Sequence, residues 1–487
     1  MQSRRDQVQA QLFVMSRLSS GMLRADPDTP DAPLARTRRG LIGGALIAVL
    51  IAIGTAVYGM ISPGGATAWR TPGTLVLVRD STSRYLYANG VLHPVLNEAS
   101  AKLIAGSQMR VETVTAASLG STPHGAPIGI VGAPDSVPGA ASLDSGAWLA
   151  CGGRASDGHG GKREVLSVSV GRPEVGRELS DGDGILVSAP SGGVQLLWKG
   201  MRHRLDTANG AHSALGWAGS SPMPVSDAFL NTLTAGTDVT SPDVAGRGEP
   251  GPELASGETA YGQLFEGPAG QHYLLREDGL VPLTPMLFDL LRGDPRTQDK
   301  AYGGGIVKVR SIGPAELAAH QASKQVEFAL AEGLPSTPPQ LVAPREDQEV
   351  CAKVTPHGST PSTSVTVVDS AEVPAGAPDN QPGVQASCLQ SDRIWVRPGS
   401  GVLVRALSSS GSGSSQYLVT DAGVVHPLFP DAVKQLGYEK AQSVAVPAQW
   451  LQLLPTGPSL DPASLARGGV VQAAKSSTGC PGSGSNS

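Results

Sequence analysis

Aromatic side chains make up 4% of this 487-residue chain and charged ones 16%, against 62 glycines and 39 prolines. Such a chain reads as many short elements joined by turns. With so few rings, among them Tyr85, Tyr87, Trp198, Tyr273 and Tyr417, an aromatic ridge of the kind that binds polymers is weakly supported. There is no basic excess either: the formal net charge is −5, which speaks against nucleic acid as a partner. Cysteine is scarce, with Cys151, Cys351, Cys388 and Cys480 the whole complement. No C-x-x-C spacing joins them, so a zinc site or a redox motif is not expected. Four cysteines allow three pairings, and Cys480, in the tail SSTGCPGSGSNS, can stay free or pair late.

Catalytic signatures are missing too. No H-E-x-x-H and no G-x-S-x-G occurs, and no paired carboxylates stand out. The nearest approach to a phosphate loop is SDGHGGKR, Ser156 to Arg163. A phosphate loop needs glycine where Ser156 stands, Ser or Thr where Arg163 stands, and a buried strand before it. The segment reads instead as a surface loop. No catalytic residue, cofactor site or metal site is expected.

One long apolar run is present, Leu41–Ile61. At about 1.5 Å per residue a helix of this length covers roughly 30 Å, the hydrocarbon thickness of a bilayer. A signal peptide has a shorter apolar region nearer the start and a small-residue cleavage site; here Ser62, Pro63, Gly64 and Gly65 follow, so an uncleaved anchor is the better reading. Arg4, Arg5, Arg17, Arg24, Arg36, Arg38 and Arg39 precede the run. By the positive-inside rule the N-terminus is cytoplasmic and the large C-terminal body extracytoplasmic. Four cysteines on that side suit an oxidising compartment. Before the span, Val8, Leu12, Met15, Leu18 and Met22 recur at three- and four-residue steps, one face of an amphipathic helix that can lie on a membrane or dock on a partner.

The body repeats itself. Four segments share a strand, a turn, a second strand, a glycine turn and a short apolar helix: Leu75–Ile104, Ile185–Gly216, Gly262–Gly293 and Val402–Gly437. Their turn glycines align as Gly90, Gly200, Gly279 and Gly423. Asn89-Gly90 and Asp278-Gly279 are strong hairpin signals, since both residues of such a turn take positive φ. Three residues later stand His93, His203 and His426, with Pro282 in the third copy. A metal site needs three or four converging ligands, and each unit offers one histidine without an acidic neighbour, so a structural role at the strand end is expected. The stretches between units also match, placing Cys151 and Cys351 at equivalent positions of a tandem duplication. If the halves pack about a pseudo-two-fold axis, these two cysteines can meet across it.

The fold class expected is α/β in the mixed α+β sense: one N-terminal transmembrane helix, then an elongated extracytoplasmic region of four small repeat domains around a duplicated, β-rich, pseudo-two-fold core. The division is residues 1–40 as cytoplasmic tail, 41–61 as span, 72–106, 181–220, 259–293 and 395–438 as repeat units, and 107–180 and 294–394 as core parts. Residues 241–258 form a linker, 439–475 a C-terminal segment packing on the body, and 476–487 a disordered tail.

SRRDQVQAQLFVMSRLSSGMLRADPD, the single span, ISPGGATAWRTPGTLVLVRD and RYLYANGVLHPVLNEASAKLI resemble the EccB family, the membrane-anchored component of type VII (ESX) secretion systems. LLPTGPSLDPASLA near the end is similar to the family's C-terminal segment. The resemblance implies a structural subunit of an inner-membrane translocation complex, in which an EccC-type ATPase and the EccD and EccE membrane proteins are partners and the body self-associates. It also implies four repeat domains around a core, and a core disulfide at Cys151 and Cys351; Cys388 and Cys480 remain a further candidate pair. Family members have been called ATPases, a label for which this chain has no nucleotide-binding loop. ATP hydrolysis and cell-wall (peptidoglycan) binding are the alternative functions.

Overall fold

The computed structural model describes residues 4–24, 33–61, 67–79, 81–172, 175–322, 332–373, 376, 381–389, 391–408 and 411–472. The chain divides into two compact units, Met1–Leu92 with Val111–His124, and His93–Arg110 with Gly125–Ser487.

The smaller unit opens with helix α1, Arg4–Arg24, whose Val8, Leu12, Met15, Leu18 and Met22 are all exposed. Helix α2, Pro33–Ile61, follows, and within it Thr37–Tyr58 is long and apolar enough to cross a membrane. Next comes a four-stranded sheet. Thr74–Val78 pairs antiparallel with Arg84–Ala88 and parallel with Val111–Val114, and Val91–Pro94 lies on the far side of Arg84–Ala88. Asn89 and Gly90 turn the hairpin at φ of 50° and 80°, the left-handed geometry that matches strand twist in a two-residue loop. Trp69, Val76, Leu92 and Val114 form its core, with the rings of Trp69 and Tyr87 in a T-shaped contact.

The larger unit holds three more sheets built on the same strand order, the first of them extended by the short strands Thr234–Ala235 and Gln340–Leu341. In each, a first strand pairs antiparallel with the second and parallel with the fourth, while the third flanks the second. The first strands are Asp183–Ser188, Leu264–Glu266 and Gly401–Leu407; the fourth are Met223–Pro224, Arg310–Ser311 and Val444–Pro447. After its fourth strand the chain returns to bridge the third in parallel, at Leu205 and Val239, Leu280 and Gln321, and Leu428 and Leu460.

Two details depart from expectation. The third sheet's turn falls on Glu277 and Asp278, because Gly279 already pairs with Arg276 as the first residue of the next strand. Gly279 has φ 119°, and a Cβ there would stand 2.4 Å from the carbonyl oxygen of His320. The helix Glu98–Ala105, counted with the first repeat, belongs to the larger unit. Its Ala99 and Leu103 share a core with Ala432, Leu436 and Leu465. Asn97 caps it, its Oδ1 accepting from the Ser100 amide at 3.0 Å, a bond that typically stabilises a helix by about 1 kcal/mol.

At the centre of the larger unit is a six-stranded sheet in the order Arg393–Val396, Lys162–Arg172, Ala147–Ser156, Gln348–Thr355, Ser362–Asp369, Arg177–Glu178. A hairpin from each half of the chain supplies its four middle strands. Alternation sorts its faces. One face is apolar: Trp148, Ala150, Leu166, Val168, Val350, Ala352 and Val354 pack against Phe229, Trp450 and Leu454. The other carries the cysteines.

Candidate functional site

Cys151 and Cys351 stand directly opposite one another on the two central strands and are joined by a disulfide. Both are buried. Ser167 pairs with Cys151 on one side and Thr366 with Cys351 on the other, so a row of four crosses the sheet on one face. The hydroxyls of Ser167 and Thr366 are buried without a hydrogen-bond partner among the described residues. Cys388 is also disulfide-bonded; Cys480 lies outside the described residues.

Two residues before Cys351, and so on the same face, is Glu349, 2% exposed. Its carboxyl lies over Gly153, where an added Cβ would come within 2.3 Å of Glu349 Cδ. The missing side chain at Gly153 is what lets this carboxyl extend toward Arg393 on the edge strand, whose Nη1 is 3.8 Å from Oε1. Glu349 Oε2 has no hydrogen-bond partner among the described residues. Burial pushes the carboxyl up to about 7, and Arg393 pulls only partly the other way. Motif inspection missed this residue. Its signal was the alternation in QEVCAKVT, which puts Glu349, Cys351 and Lys353 on one face.

The recurring histidines have one arrangement. Nδ1 of His93, His203 and His426 faces the carbonyl oxygens of Ala126, Thr237 and Pro458 at 3.2, 2.8 and 3.2 Å. A carbonyl only accepts, so each Nδ1 donates. The accepting segment is the one that returns beside the third strand, so each histidine clips that return. His203 and His426 are buried among the sheets' cores. Burial lowers His426 to about 4, outweighing the Pro458 bond that favours the charged ring. Groups of three or more His, Cys, Asp or Glu able to hold a metal do not occur among the described residues.

The SDGHGGKR segment is the tip of the hairpin between Ala147–Ser156 and Lys162–Arg172. The Asp157 carboxylate accepts from the amides of His159 and Gly161, both at 2.8 Å, which lowers its pKa. A phosphate loop leads from a strand into a helix and leaves its amides open to the anion. Here a second strand follows and a carboxylate already occupies two of the amides.

Between the second and third sheets the chain is pinned rather than loose. Asp294, with a fully buried side chain, accepts from Arg247 at 3.0 Å and from Arg296 at 2.9 Å. Arg247 is itself buried and also reaches Thr297 and the Pro242 carbonyl, both at 2.9 Å. Burial alone would raise the Asp294 pKa; hydrogen bonds led by Arg296 hold it below the usual range.

These features define a protein with a candidate membrane span, small β-sheets of one topology and a further sheet stapled by a disulfide. The chain belongs to the family described as "Type VII secretion system ESX-1, transport TM domain B", whose model matches residues 1–472. It is 28% identical over 442 residues to a Mycolicibacterium smegmatis protein named ESX-3 secretion system ATPase EccB3, covering 86% of this chain and 81% of that one. It is 26% identical over 482 residues to the Mycobacterium tuberculosis ESX-5 secretion system ATPase EccB5, covering 94% and 92%. Among solved structures, a chain of an intact ESX-5 inner membrane complex matches with TM-score 0.63, 24% identity and 95% coverage of both chains. The EccB3 dimer from an ESX-3 core complex matches with TM-score 0.60 and 24% identity, covering 80% of this chain and 98% of that one.

Proposed function

We propose that this chain is a structural subunit of an inner-membrane type VII secretion complex. The observation that carries this reading is the single family match running from the arginine-rich tail through the span into the body. On this reading Thr37–Tyr58 anchors the chain, the arginines before it keep the tail cytoplasmic, and the sheets lie outside. Its partners are an EccC-type ATPase, EccD-type and EccE-type membrane subunits, and further copies of itself. The dimer described for EccB3 supports the last.

The body is read as a pseudo-two-fold duplication. Cys151 pairs with Cys351, Gly152 with Val350 and Ala150 with Ala352. If Cys351 is the counterpart of Cys151, 200 residues on, a residue n places after Cys151 faces the counterpart of the one n places before it. That is the pattern of a two-fold axis through the disulfide. The sheet's edges depart from it, one strand being parallel and the other antiparallel to its neighbour.

Affinity capture from detergent-solubilised membranes tests the assignment. The full chain should bring down EccC-type and EccD-type subunits, and deletion of residues 1–40 should lose them. Capture of neither by the full chain overturns the subunit reading; capture unchanged by the deletion overturns docking through the tail. A second reading, ATP hydrolysis, is favoured by the names of the relatives. Against it stands the hairpin tip at Asp157. Turnover of ATP by the purified full chain, abolished by no substitution in 156–163, would move the search for a nucleotide site elsewhere.

A further inference from the structure

A cleft of about 540 Å³ in the larger unit is lined in part by Lys162 of the SDGHGGKR hairpin. Its apolar part is Met223, Leu341, Val342 and Pro344, all half-buried. Its cationic part is Arg154 and Lys162, from opposite strands of the central hairpin, together with Arg345. Arg345 is already paired with Asp347 and Asp369. Among the described residues Lys162 has only Glu346, at 4.0 Å, and that glutamate side chain is 97% exposed. Arg154 has no ion-pair partner among the described residues; Glu164 faces it on the hairpin but is not part of the cleft.

We propose that this cleft binds an extended acidic peptide segment, one with carboxylates on alternate residues. Three observations converge on that occupant. Arg154 pairs with Glu164 and Lys162 with Ser156, which makes Arg154 and Lys162 diagonal neighbours on one face. Such neighbours lie roughly 7–8 Å apart. In an extended chain, side chains two residues apart are about 7 Å apart on one face, so an acid-x-acid pattern matches both cations. The apolar lining suits the aliphatic surface of a peptide better than a bare sugar chain.

The third observation is an open backbone edge. Gln340 and Val342 donate to the carbonyls of Gly182 and Gly184, both at 2.8 Å. The alternate amides of Leu341 and Ala343 therefore point away from that strand, and neither has a partner among the described residues. An extended segment can add to such an edge, its main chain giving affinity and its side chains specificity. This binding role is independent of the subunit assignment.

The test uses the full chain in detergent and a fluorescein-labelled octapeptide of alternating Glu and Val, read by anisotropy against empty micelles. Binding should weaken at least tenfold in R154E/K162E and from 50 to 300 mM salt, and at least threefold in A343P. If charge reversal lowers the melting temperature, R154Q/K162Q carries the same comparison. Equal binding by the charge variants overturns the proposal, as does equal binding of a Lys–Val octapeptide. So does capture of soluble peptidoglycan fragments, sensitive to R154E/K162E, when the acidic peptide does not bind.

Discussion

His426 occupies the space that a side chain on Gly457 would need: an added Cβ there would lie 2.2 Å from the imidazole Cε1. His203 and Gly236 stand in the same relation at 2.3 Å. Donor, acceptor and glycine thus form one unit, in which the ring can reach the carbonyl of the next residue only because the glycine is bare. G457A should therefore be destabilising by about 1–3 kcal/mol through overpacking. H426A alone removes a buried ring and a hydrogen bond. The double variant should be less unstable than the sum of the two, because each change relieves the other's conflict. Denaturant midpoints for the four proteins decide it, and strict additivity would show that ring and glycine do not share this space.

His426 and Glu349 pull stability in opposite directions with pH. The imidazole is lowered to about 4 from an ordinary value near 6.5, so the unfolded chain binds its proton first. Its contribution is intact above about pH 6.5 and is lost as pH falls toward 4. The Glu349 carboxyl is raised to about 7, so the folded chain holds that proton more tightly. Its contribution is intact below the usual carboxylate range, near 4.5, and is lost as pH rises through 7. Replacing it with glutamine removes the second trend alone. E349Q should exceed wild type in stability above pH 7 by an amount on the order of 3 kcal/mol, with the gap shrinking steadily down to pH 4.5. A gap that does not change with pH would mean the carboxyl is charged throughout.

How much of this was legible beforehand depends on range. Asn89-Gly90 declares its turn locally, because few other pairs take positive φ at both places. The strand-end histidines could be assigned a structural role from their spacing and lack of acidic neighbours, although the glycines that admit the rings of His203 and His426, Gly236 and Gly457, lie far along the chain and carry no signal by themselves. Asp278-Gly279 misled by one residue, since Gly279 already pairs with Arg276 and the His320 carbonyl leaves no room for a side chain there. Glu349 could be placed on the face of Cys351 by alternation. That Arg393 would be its partner depends on a parallel pairing with no local signature. Likewise the helix Glu98–Ala105 looks like part of the first repeat until Ala432 and Leu436 are seen beneath it.

The disulfide should contribute strongly to stability. It closes a loop with a sequence separation of 200, for which the chain-entropy model gives about 5 kcal/mol. C151S/C351S should melt well below wild type, and a non-reducing digest of wild type should yield a peptide linking the two strands. With both sulfurs buried, at 3% and 0% exposure, dithiothreitol should release them no faster than the protein unfolds. Rapid labelling of either thiol in the folded protein under mild reductant would contradict the buried geometry.

Asp294 holds two arginines with its side chain fully buried. Removing one partner of a buried ion pair leaves the other without compensation, typically a loss of 3–5 kcal/mol. D294N retains the shape but not the charge, leaving Arg247, with its side chain 4% exposed, without its counter-ion. The effect should be local as well as global, because Arg247 and the Ser241 and Pro242 carbonyls belong to the segment that joins the second and third sheets. Limited proteolysis of D294N should cut between Ser241 and Glu258 at protease levels that leave wild type whole. R247A should open the same segment, whereas R296A, whose side chain is 37% exposed, should open it less. Cleavage elsewhere, or equal resistance in all four proteins, would show that the segment is held by its apolar contacts at Val244 and Leu254 rather than by this ion pair.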